Sequence, residues 1–170
     1  MKVLIISDTH GQLDSRIACL ARSCDIAIHA GDIMSAQVLD QLSPRTGRVY
    51  AVRGNNDIAT RLKPRDRRLS RLPEQQTVEL PGGRLCVVHG HQIWDTANYH
   101  ARLRKKYGDV RVIVYGHTHH QVQDLDADPW VLNPGAAGRT RTHGGPSCLI
   151  LNASRRSWSV RSSRFALDRR

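Results

Sequence analysis

The chain predicts an α/β fold, a layered sandwich of two or three layers, on three observations. Short apolar runs alternate with stretches of helical periodicity in the first half; the runs are continuous, as in strands covered on both faces; and they stop, one after another, at glycine beside an acid, amide or imidazole. Ligands of open α/β sheets bind beyond the carboxyl ends of strands, so the repeated ending carries function as well as fold.

The elements follow in order. Residues 3–6 are the first apolar strand and end at Ser7-Asp8-Thr9-His10-Gly11. Asp14-Ser15 caps an amphipathic helix over 14–24, in which Ile17, Leu20, Ala21 and Cys24 recur at helical spacing. Residues 26–30 form a second strand ending at Gly31-Asp32. A short helix over 36–42 is stopped by Ser43-Pro44, and a third strand over 48–52 ends at Gly54-Asn55-Asn56-Asp57. Residues 61–71 hold six basic residues against one acid, Asp66, with Pro64 and Pro73 close by, and predict an exposed loop. Residues 77–80 and 85–88 flank Pro81-Gly82-Gly83 as a hairpin that ends at His89-Gly90-His91. A helix over 96–107 has a basic last turn and Gly108 as its C-cap. A strand over 110–115 ends at Gly116-His117-Thr118-His119-His120, and shorter strands follow near Val122, Val131, Leu149 and Val160. The expected organisation is one domain over residues 1–165 and a basic tail over 166–170.

Composition removes several classes. At 39% hydrophobic and 24% charged residues, with no apolar stretch near the length of a membrane span, the sequence excludes membrane insertion. Only four apolar residues follow Met1-Lys2, and a secretory h-region needs about twice that number or more. Cys19, Cys24, Cys86 and Cys148 form no Cys-x-x-Cys pair and are read as buried structural thiols, which with the missing leader predicts a cytoplasmic location. A net charge of +11 points toward polyanionic partners, although 22 of the 26 basic residues are arginine, an excess that biased codon usage would also produce.

The chemistry lies in the strand-end residues. Asp8-x-His10 and His117-x-His119 each set two ligand-type side chains two residues apart, which in a strand-end conformation directs both toward one side of the sheet. With Asp32, Asn55 and His89 they make two carboxylates, one amide and four imidazoles without a thiolate. That mixed nitrogen and oxygen set suits Mn²⁺, Fe, Zn²⁺, Co²⁺ or Ni²⁺ rather than a structural zinc–thiolate site. His29 and His100 are isolated and receive no catalytic role.

The ordered series Asp8-x-His10, Gly31-Asp32, Gly54-Asn55-x-Asp57, His89-Gly90-His91 and Gly116-His117-x-His119 resembles the calcineurin-like metallophosphoesterases over nearly the whole chain. The short length and Asn133-Pro134-Gly135-Ala136 are most similar to the compact bacterial and archaeal phosphodiesterases of the YfcE-like branch. The resemblance implies a four-layer α/β/β/α sandwich of two mixed sheets with flanking helices, and two divalent transition metal ions, Mn²⁺ first among them. Asp8, His10 and His119 would hold one metal; Asn55, His89 and His117 the other; Asp32 would bridge them, about 3.5–4 Å apart, around a shared hydroxide that attacks phosphorus in line. Asp57 would orient these ligands by hydrogen bonding, and Asn133 and Gly135 would close the floor of the site. The implied substrate is a phosphodiester, with nucleotide and nucleic-acid derivatives in range; a homodimer is left open. Two alternatives stand beside the enzyme. One is a non-catalytic binding scaffold, since a eukaryotic retromer subunit resembles the same branch and shares a stretch like His89 to Gln92; the other is a nucleic-acid-acting protein using the basic residues of 61–71 and 155–170.

Asn56 departs from the pattern. Larger members of the family that the chain resembles usually place a histidine immediately after the metal-binding asparagine, where it can protonate the leaving group or hold a phosphoryl oxygen, and asparagine cannot supply a proton. Either His91 or a water does so, or the enzyme depends on leaving groups that depart without help; Asp32, Asn55 and His91 are taken as the catalytic group. General acid catalysis is worth about 10²–10⁴-fold, so the unmodified protein should favour activated diesters and Asn56→His should raise turnover of poor leaving groups. Equal turnover of alkyl and nitrophenyl esters by the unmodified protein would contradict this.

Overall fold

The computed structural model describes residues 1–93 and 97–167. Strands β1 (Lys2–Ile6), β2 (Ile26–His29) and β3 (Val49–Ala51) run parallel, with α1 (Ser15–Ala21) and α2 (Ala36–Asp40) between them. β4 (Gln75–Leu80) and β5 (Gly83–Val88) form the expected hairpin, and β6 (Val112–Val114) joins β5 in parallel after α3 (Tyr99–Tyr107). β7 (Gln121–Asp124), β8 (Trp130–Pro134), β9 (Ser147–Ala153) and β10 (Trp158–Arg164) complete two five-stranded mixed sheets, ordered β10-β9-β1-β2-β3 and β4-β5-β6-β8-β7.

Alternation along the strands explains four layers rather than two or three. Val3 and Ile5 of β1 face the second sheet, whose Leu85, Val87, Val112 and Val114 face back, and Leu132 and Leu149 fill the same fully buried interior. Leu4 and Ile6 point the other way, onto Ile17 and Ala21 of α1. Cys86, Val88 and Ile113 likewise meet Leu103 and Tyr107 of α3. The order is therefore helix, sheet, sheet, helix. Every central strand is covered on both faces, which is why these strands read as unbroken apolar runs.

Three readings of the sequence need correction. Residues 61–71 are not a bare loop: Pro64–Arg71 is a 3-10 helix that buries Leu69 and Asp66, and Asp66 Oδ1 accepts from Ala36 N at 2.8 Å at the start of α2. β9 and β10 are seven residues each, the longest strands rather than short ones. Cys19 is exposed, while Cys24, Cys86 and Cys148 are buried. α3 begins at Tyr99; the expected start at Thr96 lies outside the described residues, as does most of the tail assigned to 166–170. The Asp14 cap stands, its carboxylate accepting from Arg16 N at 3.0 Å. Among the described residues no helix is long and apolar enough to cross a membrane.

Leu132 is fully buried between the sheets, so Leu132→Ala should cost about 2–5 kcal/mol through lost contacts and a residual cavity. Leu167 is 56% exposed, and Leu167→Ala should leave the denaturant midpoint nearly unchanged.

Candidate metal centre

The carboxyl ends of β1, β2, β3, β5 and β6 converge from both sheets on one place, and there the backbone leaves ordinary strand geometry. Asp8, His10, Asp32, His117 and His119 all have positive φ, between 46° and 66°. The paired ligands thus share a side not through strand alternation, as the spacing alone predicts, but because both members of each pair adopt left-handed backbone beyond the strand. Such conformations cost roughly 1–2 kcal/mol per non-glycine residue and persist only where surroundings enforce them.

Hydrogen bonds supply the enforcement. The segments after β1 and β2 are tied to one another, with Asp8 N donating to Gly31 O at 3.0 Å and His10 N to Asp32 O at 3.0 Å. The buried Asp57 carboxylate accepts from Ile33 N at 3.1 Å, Met34 N at 2.8 Å and Gly54 N at 2.8 Å, locking the Asp32 segment to the Asn55 turn. His29 is fully buried and takes no part in the centre. Gly31 N donates to its Nδ1 at 3.2 Å, so its Nε2 donates to Thr9 Oγ1 at 3.0 Å, and burial pushes its pKa down to about 3. Asn133 is also fully buried: its Nδ2 donates to Gly116 O at 2.8 Å and Thr118 Oγ1 at 3.0 Å, and its Oδ1 accepts from Gly135 N at 2.9 Å. Asn133 and Gly135 therefore pin the His117–His119 segment from behind.

All seven ligand-type side chains meet. Asp8 Oδ1, His10 Nε2 and His119 Nε2 form one group, with 3.3 Å between Asp8 and His119 and 3.1 Å between the two imidazole nitrogens. Asn55 Oδ1 lies 3.1 Å from both His89 Nε2 and His117 Nδ1 in the other. Asp32 stands between them, Oδ2 3.8 Å from His10 Nε2 and Oδ1 3.4 Å from His89 Nε2. Asp8, Asp32 and His89 also converge within 4.8 Å, so Asp8 is within reach of both halves. His89 Nδ1 donates to Ala30 O at 2.8 Å and His119 Nδ1 to Thr140 O at 3.1 Å, which leaves each Nε2 aimed at the centre.

The electrostatics suit divalent cations. Asp8 Oδ1 is a buried oxygen with no hydrogen-bond partner among the described residues, and two imidazole nitrogens 3.1 Å apart need a proton or cation between them. Burial raises the Asp8 carboxyl to about 7 and keeps His10, His117 and His119, the last at about 4, below the ordinary histidine range. Those three imidazoles are thus neutral, with lone pairs to offer. Burial also works against Asp32, but hydrogen bonds from His89 and Asn56 more than offset it and keep the carboxylate ionised. The hard and intermediate donors of the set match a divalent transition metal.

Around the centre stand Asn56 and His91, which the sequence singles out, and Arg61, Arg141 and a cavity, which it does not. Asn56 is spent on the central carboxylate, its N donating to Asp32 Oδ1 at 2.9 Å and its Nδ2 to Oδ2 at 2.6 Å, while Arg61 donates to Asn56 Oδ1. Arg141, another left-handed residue, brings Nη2 to 3.0 Å from His119 Nε2. A cavity of about 530 Å³ opens beside Asn55 and His117, walled by Ile93, Tyr99, Tyr115 and Val122. His91 lines the same cavity, its ring 5.4 Å from that of His89. No motif announces a cavity drawn from so many segments; Tyr99 of α3 and Tyr115, just beyond β6, were the available aromatic signal.

Two outcomes follow. A Cβ at Gly54 would stand 2.2 Å from Asp32 Oδ1, so Gly54→Ala should displace the central carboxylate and lower metal content, read by elemental analysis after dialysis. Because Asp8 holds its proton up to about 7, Mn²⁺ affinity measured by chelator competition should rise with pH to about 7 and then flatten; a pH-independent affinity would contradict the assignment.

Comparison with known proteins gives the family. The family model described as the calcineurin-like phosphoesterase superfamily domain matches residues 1–156. A probable metallophosphoesterase of Methanocaldococcus jannaschii is 30% identical over 142 residues, 80% of this chain and 68% of the relative. A phosphodiesterase of the same organism is 28% identical over 168 residues, 93% and 96% of the two chains. Wild-type Vps29 of Entamoeba histolytica, solved in complex with Zn²⁺, superposes with a TM-score of 0.72 at 20% identity, covering 98% of this chain and 99% of that one, a likeness of fold. The chain belongs to the calcineurin-like phosphoesterase superfamily.

Proposed function

We propose that the protein is a phosphodiesterase that uses two divalent metal ions, Mn²⁺ foremost and Fe, Zn²⁺, Ni²⁺ or Co²⁺ as the alternatives. The observation that carries this is the division of the seven side chains into two groups of three about Asp32, whose oxygens lie 3.8 Å from His10 Nε2 and 3.4 Å from His89 Nε2. Asp8, His10 and His119 would hold one ion, Asn55, His89 and His117 the second, with Asp32 common to both. Bound there, two divalent cations would polarise a phosphoryl group and lower the pKa of water from 15.7 to about 7. Kinship with a phosphodiesterase of Methanocaldococcus jannaschii supports the diester reading.

The chain's own groups set the rest. Asn56 steadies the charged form of Asp32 through two hydrogen bonds, a positioning role rather than proton donation. Asp57, by holding three backbone N–H groups, fixes Asn55 relative to Asp32. His91, 6.3 Å from the His117 ring, is the imidazole beside the centre that is not needed to hold metal, and is the candidate proton donor to the leaving group. Burial lowers its pKa, with further lowering by His89 and His117, so its protonated form is scarce at neutral pH. A non-catalytic platform has no need of this ligand set, and no feature of the centre favours that reading.

The direct test is hydrolysis of bis(p-nitrophenyl) phosphate after Mn²⁺ addition. Loss of groups that merely support a metal ligand costs about 10–100-fold, so Asp32→Asn should lose at least about 100-fold; equal rates, or none from either protein, would refute the proposal. His91→Gln should slow alkyl diesters by about 10²-fold or more in mildly acid solution and spare nitrophenyl diesters. The protonated imidazole is lost as pH rises, so the gap between His91→Gln and the unmodified protein should close toward neutral pH.

A further inference from the structure

The imidazoles that face the centre through Nε2 are aimed by what their Nδ1 meets. His89 and His119 donate to backbone carbonyls, Ala30 O at 2.8 Å and Thr140 O at 3.1 Å. His10 does otherwise: its Nδ1 stands 3.3 Å from the thioether sulfur of Met34, while its Nε2 faces His119 Nε2 at 3.1 Å. A thioether accepts and does not donate, so the His10 proton lies on Nδ1 and the lone pair on Nε2. Sulfur thus takes the place that a carbonyl oxygen takes behind the other two rings, fixing the tautomer and orientation of His10.

Met34 reaches that position by construction. It lies two residues after Asp32, between β2 and α2, and its φ of 60° is left-handed like those of His10 and Asp32. Met34 N donates to Asp57 Oδ1 at 2.8 Å, and Gly11 N, one residue beyond His10, donates to Ile33 O at 2.8 Å. The backbone on both sides of the sulfur contact is therefore tied down. The Met34 side chain packs on the cluster that contains Ile33, Val38 and Leu69, which orients an otherwise flexible thioether. The residue is only half-buried, so a small oxidant reaches it from solvent.

Here sulfur differs from a carbonyl oxygen, because it oxidises to a sulfoxide, a polar group that dedicated reductases convert back. With hydrogen peroxide, a sulfur lone pair forms the S–O bond as the O–O bond breaks. Sulfur gives up two electrons, and the displaced hydroxide takes the proton of the transferred oxygen and leaves as water. The new oxygen has no room between two atoms 3.3 Å apart, since an N–H···O contact alone spans about 2.7–3.2 Å. With the backbone tied, the sulfur or the imidazole must swing aside, and Nε2 loses its aim.

Resting on the assignment of Asp8, His10 and His119 to one ion, we propose that Met34 is the positioning residue of His10 and an oxidation site, at which a peroxide weakens the hold on that ion. The ion among Asn55, His89 and His117 is held by rings with other partners and keeps its affinity.

The test uses the metal-free full chain before and after hydrogen peroxide, beside Met34→Leu, with melting curves to establish that each form is folded. The chain's two methionines are Met1 and Met34, so peptide masses locate the sulfoxide. Partners behind a metal ligand are worth about 10–100-fold in affinity, so chelator competition should show one of two Mn²⁺ sites weakened at least about 10-fold by the Met34 sulfoxide and by Met34→Leu. Peroxide should change nothing further in Met34→Leu. Nitrogen NMR of the metal-free protein, with His10 assigned through His10→Gln, should show one His10 tautomer, protonated on Nδ1, and a mixture in Met34→Leu. A Met34 sulfoxide that leaves Mn²⁺ affinity unchanged, an equal peroxide effect in Met34→Leu, a folded protein in which peroxide spares Met34, or an unchanged His10 tautomer in Met34→Leu would overturn the proposal. Failure of the unmodified protein to bind Mn²⁺ would overturn the metal assignment instead, and the tautomer would still decide whether Met34 orients His10.

Discussion

The structure depends on where one carboxylate is held. Asp32 lies at the meeting point of two sheets, one oxygen toward an imidazole from the loop after β1 and the other toward an imidazole from the end of β5. A buried carboxylate is costly unless its charge is paired and its oxygens are engaged. Here both oxygens are engaged, by Asn56 from one side and by the histidines from the other. The four-layer architecture serves this by bringing the carboxyl ends of five strands, from two sheets, to one point.

Bringing them there has a local cost, since five of the seven converging residues adopt left-handed backbone. The fold offsets this with buried polar ties that have no chemistry of their own. Asp57 engages three backbone N–H groups, His29 and Thr9 brace the first loop, and Asn133 braces the last. Close packing does the rest, as a Cβ on Gly116 would stand 1.9 Å from Ser7 Oγ and 2.8 Å from Asp8 Oδ2. The glycines beside the ligands thus let the two sheets approach until their ligands meet. Strain in the loops and rigidity behind them make the centre preformed, which lowers the entropy lost when a cation or substrate binds.

Much of this was legible in the sequence, for identifiable reasons. Double-sided burial made β1, β2, β5 and β6 continuous apolar runs, and the ligand residues stood at their ends. The backbone that aims them was not legible, because the enrichment of aspartate and histidine in left-handed backbone is too weak a signal to single out a position. Leu62 and Leu69 were hidden among arginines, so a 3-10 helix packed on α2 looked like solvated loop. Cys19 occupies the one exposed position among four cysteines in similar apolar surroundings. Tyr99, Tyr115 and His100 come together only through the packing of α3 on the second sheet, which no local pattern records.

If two divalent cations share Asp32, anomalous diffraction from crystals of the protein soaked in Mn²⁺ should show two peaks about 3.5–4 Å apart, one among Asp8, His10 and His119, the other among Asn55, His89 and His117, with Asp32 touching both. A single peak that leaves one of these groups empty, or manganese bound elsewhere on the molecule, would contradict that sharing.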